Sequence, residues 1–225
     1  MNKNNGISAF KISQTQHKRM KMALWGIGIL LAFQSIIDPL FHSSSYNVVV
    51  MLLMPILKSK FFLLLLNGAI VACSGYILNV LRVALKPFSK WAPWFCLAFI
   101  FMLALSCILN IMNTWYIMSF NVNVFTMIST LQMMLMCTYW MLQGMWFVLV
   151  CILIFNFSGR IRENGWVLFA LLLIEKVCYL LFICVIVNLA SMPWLFISLL
   201  TSSLYLLLYY FIYRCFEVSN DEAIA

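Results

Sequence analysis

Residues 91–159 read WAPWFCLAFIFMLALSCILNIMNTWYIMSFNVNVFTMISTLQMMLMCTYWMLQGMWFVLVCILIFNFSG, a run without one Asp, Glu, Lys, Arg or His. Such a run has no means of facing water on either side of a helix, and it is far longer than the roughly 20 apolar residues that cross a bilayer once. Two crossings fit, with the turn in the only polar cluster, Asn110, Asn113, Thr114, Asn121 and Asn123. Helices are the expected conformation, because only they satisfy every backbone polar group within one segment in hydrocarbon.

Working outward, charges mark further boundaries. Lys58 and Lys60 on one side and Arg82 on the other bracket the apolar run Phe61 to Leu81. The cluster His17, Lys18, Arg19 and Lys21 precedes Met22 to Phe41, which is charge-free up to Asp38. Beyond Arg160, Arg162 and Glu163 a fifth run extends to Asn188, and Ser191-Met192-Pro193 separates it from a sixth ending before Arg214. The expected fold is all-α: a polytopic membrane bundle with spans at about 22–41, 61–81, 91–112, 132–157, 164–188 and 193–213. Residues 1–21 form an N-terminal segment, read as a solvated tail, and residues 215–225 an acidic, disordered one. Val48 to Leu57 reads as an interfacial helix broken at Pro55. A continuous helix over Val124 to Phe157 would measure about 50 Å and must tilt, break or protrude.

The whole composition agrees. The chain of 225 residues is 65% hydrophobic and only 9% charged, with a net charge of +8 and a mean hydropathy of +1.03. Basic residues gather where an N-in arrangement needs them: Lys18, Arg19 and Lys21, then Arg82, Lys86 and Lys90, then Arg160 and Arg162, then Arg214. The positive-inside bias therefore predicts a multi-pass protein of the cell (inner) membrane with both termini cytoplasmic. The charge reads as topology signalling, and no nucleic-acid partner is expected. The bilayer itself is the first partner, with a membrane protein or a second copy of the chain as the other candidate.

A basic residue followed four places on by Trp opens every odd-numbered span: Lys21/Trp25, Lys90/Trp94 and Arg162/Trp166. One helical turn of separation sets the cation in the headgroups and the indole just below it, so these six residues read as interfacial anchors. The recurrence suggests three repeated helical hairpins. In that frame Trp25 to Asn47 matches Trp166 to Asn188, and Gln34 corresponds to Glu175.

Glu175 and Lys176 fall near mid-span, where an ionised group is costly unless paired or hydrated. Neighbouring residues diverge by about 100° on a helix, so simple mutual neutralisation is not expected. Glu175 shares a face with Tyr179, while Gln34 and Asp38 share one on the first span. These five outline a candidate substrate pathway. Asn67, Asn79, Asn110, Gln132 and Gln143 extend a polar interior, with interhelical hydrogen bonding as the simpler account of each.

Enzyme chemistry finds no foothold. There is no Gly-x-Ser-x-Gly elbow, P-loop, His-Glu-x-x-His or facing Asp pair, and Cys73-Ser74-Gly75 has no intramembrane His to activate its serine. Only His17 and His42 exist, and the eight cysteines include no Cys-x-x-Cys pair, so no catalytic residue, metal or cofactor is expected. The cysteines read as small buried hydrophobes and the methionines at 127–145 as packing. The functional expectation is a non-enzymatic membrane protein that moves a small solute or ion through a polar interior centred on Glu175. The alternative is an accessory, assembly or immunity-type protein that recognises a partner within the bilayer.

Overall fold

Among the described residues six α-helices follow one another: α1 (Gln14–His42), α2 (Lys60–Leu85), α3 (Ala92–Met118), α4 (Phe125–Asn156), α5 (Gly159–Ile186) and α6 (Trp194–Tyr213). Two short strands, β1 (Phe10–Ile12) and β2 (Phe216–Val218), flank them. The computed structural model describes residues 7–42, 60–118, 125–186 and 194–219. Val48 to Leu57 lies outside the described residues.

Among the described residues three helices are long and apolar enough to cross a membrane: Leu64–Leu85, Ala92–Asn113 and Thr130–Asn156. These helices support a membrane protein. Their boundaries differ from the sequence reading in instructive places. Helix α3 continues through Asn110, Asn113 and Thr114 to Met118, because isolated amides do not stop a helix whose backbone bonds have no aqueous competitor. Helix α4 runs unbroken for 32 residues, or about 48 Å.

The described residues fall into two compact units, 44–146 and the remainder, so that α4 begins in one and ends in the other. In the first unit, α2 and α3 pack closely. The face of α2 that does so carries Ile70, Ser74, Ile77, Leu81 and Leu85, and that of α3 carries Ala92, Cys96, Phe99 and Leu103, all buried. Both follow the three-and-four spacing of a helix seam. Phe99 meets Trp146 edge-on with ring centroids 5.1 Å apart.

In the second unit, α1 packs along α6 and α6 packs on α5. Met20, Ile27, Leu31 and Ser35 form the buried stripe of α1. Three contacts fix its direction against α6: His17 with Tyr213, Gly28 with Leu206, and Ser35 with Ser202. Residue numbers rise on one helix as they fall on the other, so the pair is antiparallel. The closest partners along the chain are therefore α2 with α3 and α1 with α6, a different pairing from three equivalent hairpins.

Strands form at Phe10–Ile12 and Phe216–Val218, inside the segments expected as tails. β1 and β2 pair in parallel, in the register Phe10 to Phe216, Lys11 to Glu217 and Ile12 to Val218. Phe10 N–H donates to Cys215 O and Ser219 N–H to Ile12 O, each at 2.9 Å.

Candidate functional site

Helix α5 carries Glu175 and Lys176, the two charged residues that stand in the middle of an apolar run. Its buried positions Ile161, Leu168 and Leu172, with Gly165 between them, step by four, three and four, and one more step of three reaches Glu175. The carboxylate thus occupies the next position of the seam by which α5 packs into its unit. Gly165 allows the approach: a Cβ there would stand 2.9 Å from Ile154 Cγ1 on α4. On the opposite side Leu173, Ile174 and Val177 are exposed.

Lys176 stands at the edge of that seam, and its Nζ lies 3.6 Å from Glu175 Oε1, with the two side chains 24% and 16% exposed. This corrects the expectation that the two would not neutralise each other. A 100° divergence separates the Cβ directions, but a four-carbon stem closes it, and in a poorly solvated setting attraction between the charges rewards doing so.

Gln34 is half-buried on α1 in the same unit. Its neighbour Ser35 is the better-built polar contact, donating to Leu31 O at 2.8 Å with Ser202 Oγ 2.6 Å from the same hydroxyl oxygen. The side chains of Asp38 and Tyr179 lie outside the described residues. Asn67, Asn79, Asn110, Gln132 and Gln143 belong to the other unit, and among them Asn110 and Gln132 are exposed. Lys21, Trp25, Lys90, Trp94, Arg162 and Trp166 are all exposed.

A second polar assembly, at the chain ends, escaped the sequence reading. Phe10, Phe157 and Phe216 are buried together, Phe10 lying 5.1 Å from Phe157 and 5.4 Å from Phe216 between ring centroids. The residues just before β1 also cap α5: Ser158 N–H donates to Ile7 O at 3.4 Å and Ile161 N–H to Ser8 O at 3.1 Å. These are amides that a helix start leaves without intrahelical acceptors. The turn needs Gly159, whose φ is +55° and whose absent Cβ would lie 2.9 Å from Ser8 Cβ. Around this clasp, Arg160 Nη1 pairs with Glu217 Oε1 at 2.7 Å. Tyr213 Oη and His17 Nε2 lie 2.9 Å apart.

Beneath it, Asn164 Nδ2 donates to Cys215 Sγ at 3.8 Å and the thiol donates to Phe211 O at 3.4 Å. Burial pushes the Cys215 thiol up to about 12, against smaller lowering effects from Asn164, Arg160 and Arg214. It stays protonated and unreactive. The only hints in the sequence were two apolar-charged-apolar triplets, Phe10-Lys11-Ile12 and Phe216-Glu217-Val218, which are too short for period-two alternation to stand out.

The remaining chemistry-bearing residues stay dispersed. Cys96 and Cys215 are buried as expected, whereas Cys137 and Cys151 are exposed. Met133, Met134, Met136 and Met141 are also exposed rather than filling the interior; on a lipid-facing surface a thioether needs no polar partner. No cluster of three His, Cys, Asp or Glu side chains able to hold a metal occurs among the described residues. Comparison with protein-family models, curated proteins and solved structures finds no match.

Proposed function

We propose that this chain is a non-enzymatic, six-crossing membrane protein that moves a small solute or ion through a polar interior centred on Glu175. The observation that carries the reading is the position of that carboxylate. It continues the inward seam of α5, is only partly covered, and has its charge compensated by Lys176 3.6 Å away. A paired charge can reside in the bilayer and still exchange its partner for a passing cation, proton or amine.

The six crossings, with both ends on the cytoplasmic face of the cell membrane, gain support from the clasp. Segments joined by backbone hydrogen bonds share one side of a bilayer. Residues 7 and 8 bond to residues 158 and 161, so an even number of crossings separates them. Helices α2, α3 and α4 each contain an apolar stretch of spanning length, and α1 then supplies the fourth crossing. The antiparallel packing of α6 along α1 takes α6 through the same layer, and α5 must return the chain. Basic residues at 82–90 and 158–162 assign that side to the cytoplasm. The three-hairpin repeat finds no such support.

The test of transport is solute and proton flux in proteoliposomes with Glu175→Gln and Lys176→Gln. Loss of flux in Glu175→Gln with unchanged yield and elution supports the pathway. Absence of flux in the wild type under every gradient, together with wild-type behaviour of Glu175→Gln in cells, defeats it.

A second reading is recognition of a partner within the bilayer, and one observation favours it: the exposed apolar stripe Leu173, Ile174 and Val177 runs beside the ion pair. It predicts an intramembrane cross-link from this stripe to another protein. Cross-linking that recovers only the chain itself leaves a self-assembly and removes the separate partner.

A further inference from the structure

Between the C-terminal end of α2 and the start of α3 lies a cleft of about 470 Å³, into which Arg82, Lys86 and Lys90 all contribute. Val83, Pro93 and Trp94 complete its wall, and both Val83 and Trp94 are exposed. The loop is built to hold this shape. Lys86 N–H donates to Val83 O at 3.2 Å and Ser89 N–H to Leu85 O at 3.2 Å, while Ser89 Oγ accepts from Ala92 N–H at 3.3 Å. Ser89 thereby satisfies one of the amides that the start of α3 leaves without an intrahelical acceptor.

Three cations in one cleft repel one another and call for a counter-charge. The unit that holds the cleft supplies none: not one Asp or Glu occurs from residue 39 to residue 162, so the whole unit 44–146 is free of acid. The clasp provides the contrast, since its Arg160 has Glu217 at 2.7 Å.

We infer that this cleft is a binding site for a phosphate-ester anion, with the cations on the phosphate and Val83 and Trp94 against an apolar portion. An anionic phospholipid suits both halves: its headgroup meets basic side chains at the end of a spanning helix, and its acyl chain continues along exposed apolar surface. A soluble phosphate ester is the other source of the same chemistry. This site is independent of transport through Glu175.

The experiment is native mass spectrometry of the full chain released from nanodiscs of equal phosphatidylglycerol and phosphatidylcholine. Arg82→Gln/Lys86→Gln/Lys90→Gln is compared with a charge-matched control in the other unit, Lys11→Gln/Lys18→Gln/Arg19→Gln. Expected is retention of phosphatidylglycerol over phosphatidylcholine by about tenfold or more in the wild type and the control. The cleft variant loses that preference while keeping its elution volume. Displacement of the lipid by glycerol phosphate at comparable concentration also supports the anion site and assigns it to the soluble ester. Equal lipid retention by the cleft variant and wild type, or equal loss in the control, overturns the inference. Should the triple variant not fold, the single variant Lys86→Gln is expected to show a partial loss, and unchanged retention there overturns it equally.

Discussion

The two units of this protein solve the problem of charge in opposite ways. In the unit that holds the chain ends, Arg160 meets Glu217 and Lys176 meets Glu175. In unit 44–146 there is no acidic residue to meet, and the cations at its α2–α3 turn line an open cleft. The unit that holds β1 and β2 closes on itself with side-chain and strand hydrogen bonds of the kind found in water-soluble domains. The other relies on apolar seams and leaves its basic groups to whatever surrounds them. Phe10 and Phe99 are both buried, but Phe10 meets Phe157 and Phe216 on the far side of the sequence, whereas Phe99 meets Trp146 within unit 44–146.

That contrast can be broken most forcefully at Phe10. Phe10→Ala removes a buried ring and is expected to cost about 3–5 kcal/mol. Phe99→Ala should cost a similar amount, since it too empties a buried site. Their outcomes separate in the labelling of Cys215 by a maleimide, followed by mass spectrometry of its peptide: Phe10→Ala uncovers the thiol and Phe99→Ala does not. Labelling that is equal in both variants would dissolve the distinction between the units.

Gly159→Ala is the next largest. It sets an L side chain at φ +55° and drives a Cβ to 2.9 Å from Ser8, for an expected loss of about 1–3 kcal/mol. The equivalent change at Gly68, which has open space around it, should be neutral or slightly stabilising, as in any helix. Thermal unfolding in one detergent compares the two.

Alkaline pH sharpens the comparison further. The Cys215 thiol is raised from its ordinary value of 9.0 to about 12 in the folded protein. Above about pH 9 the unfolded chain gives up a proton that the folded chain retains, so stability falls as pH rises towards 12. The slope from this group is up to about 1.4 kcal/mol per pH unit. Cys215→Ala should remove that share of the alkaline slope, read as a difference from wild type. An unchanged slope would mean that the thiol ionises in place.

Smallest is Arg160→Gln. The pair with Glu217 is well aligned at 2.7 Å, but both side chains are substantially exposed, and such pairs contribute about 0–1 kcal/mol. A melting temperature within a few degrees of wild type is expected.

Much of the helical layout was legible without coordinates, because lipid allows so few alternatives. Lys58, Lys90, Arg160 and Pro193 divide the sequence into five apolar runs, and the length of the third asks for two helices. Helix ends were less legible: Asn110 and Asn113 looked like a turn, but polarity stops a helix only where water can take over its hydrogen bonds. The candidate site was visible as residue types and invisible as geometry. Glu175 and Lys176 drew notice as charges out of place, whereas their mutual pairing depends on side-chain reach, which spacing along the chain does not encode.

What the sequence determined by itself is membrane residence and the order of helices, since hydropathy and charge are local properties summed over a segment. Only the tertiary structure decided that α1 lies antiparallel along α6, that β1 joins β2 across some 200 residues, and that Gly159 and Gly165 are the places where a side chain would not fit. These depend on which surfaces meet. Loop closure between distant segments is set by the packing of everything between them, not by the segments' own composition.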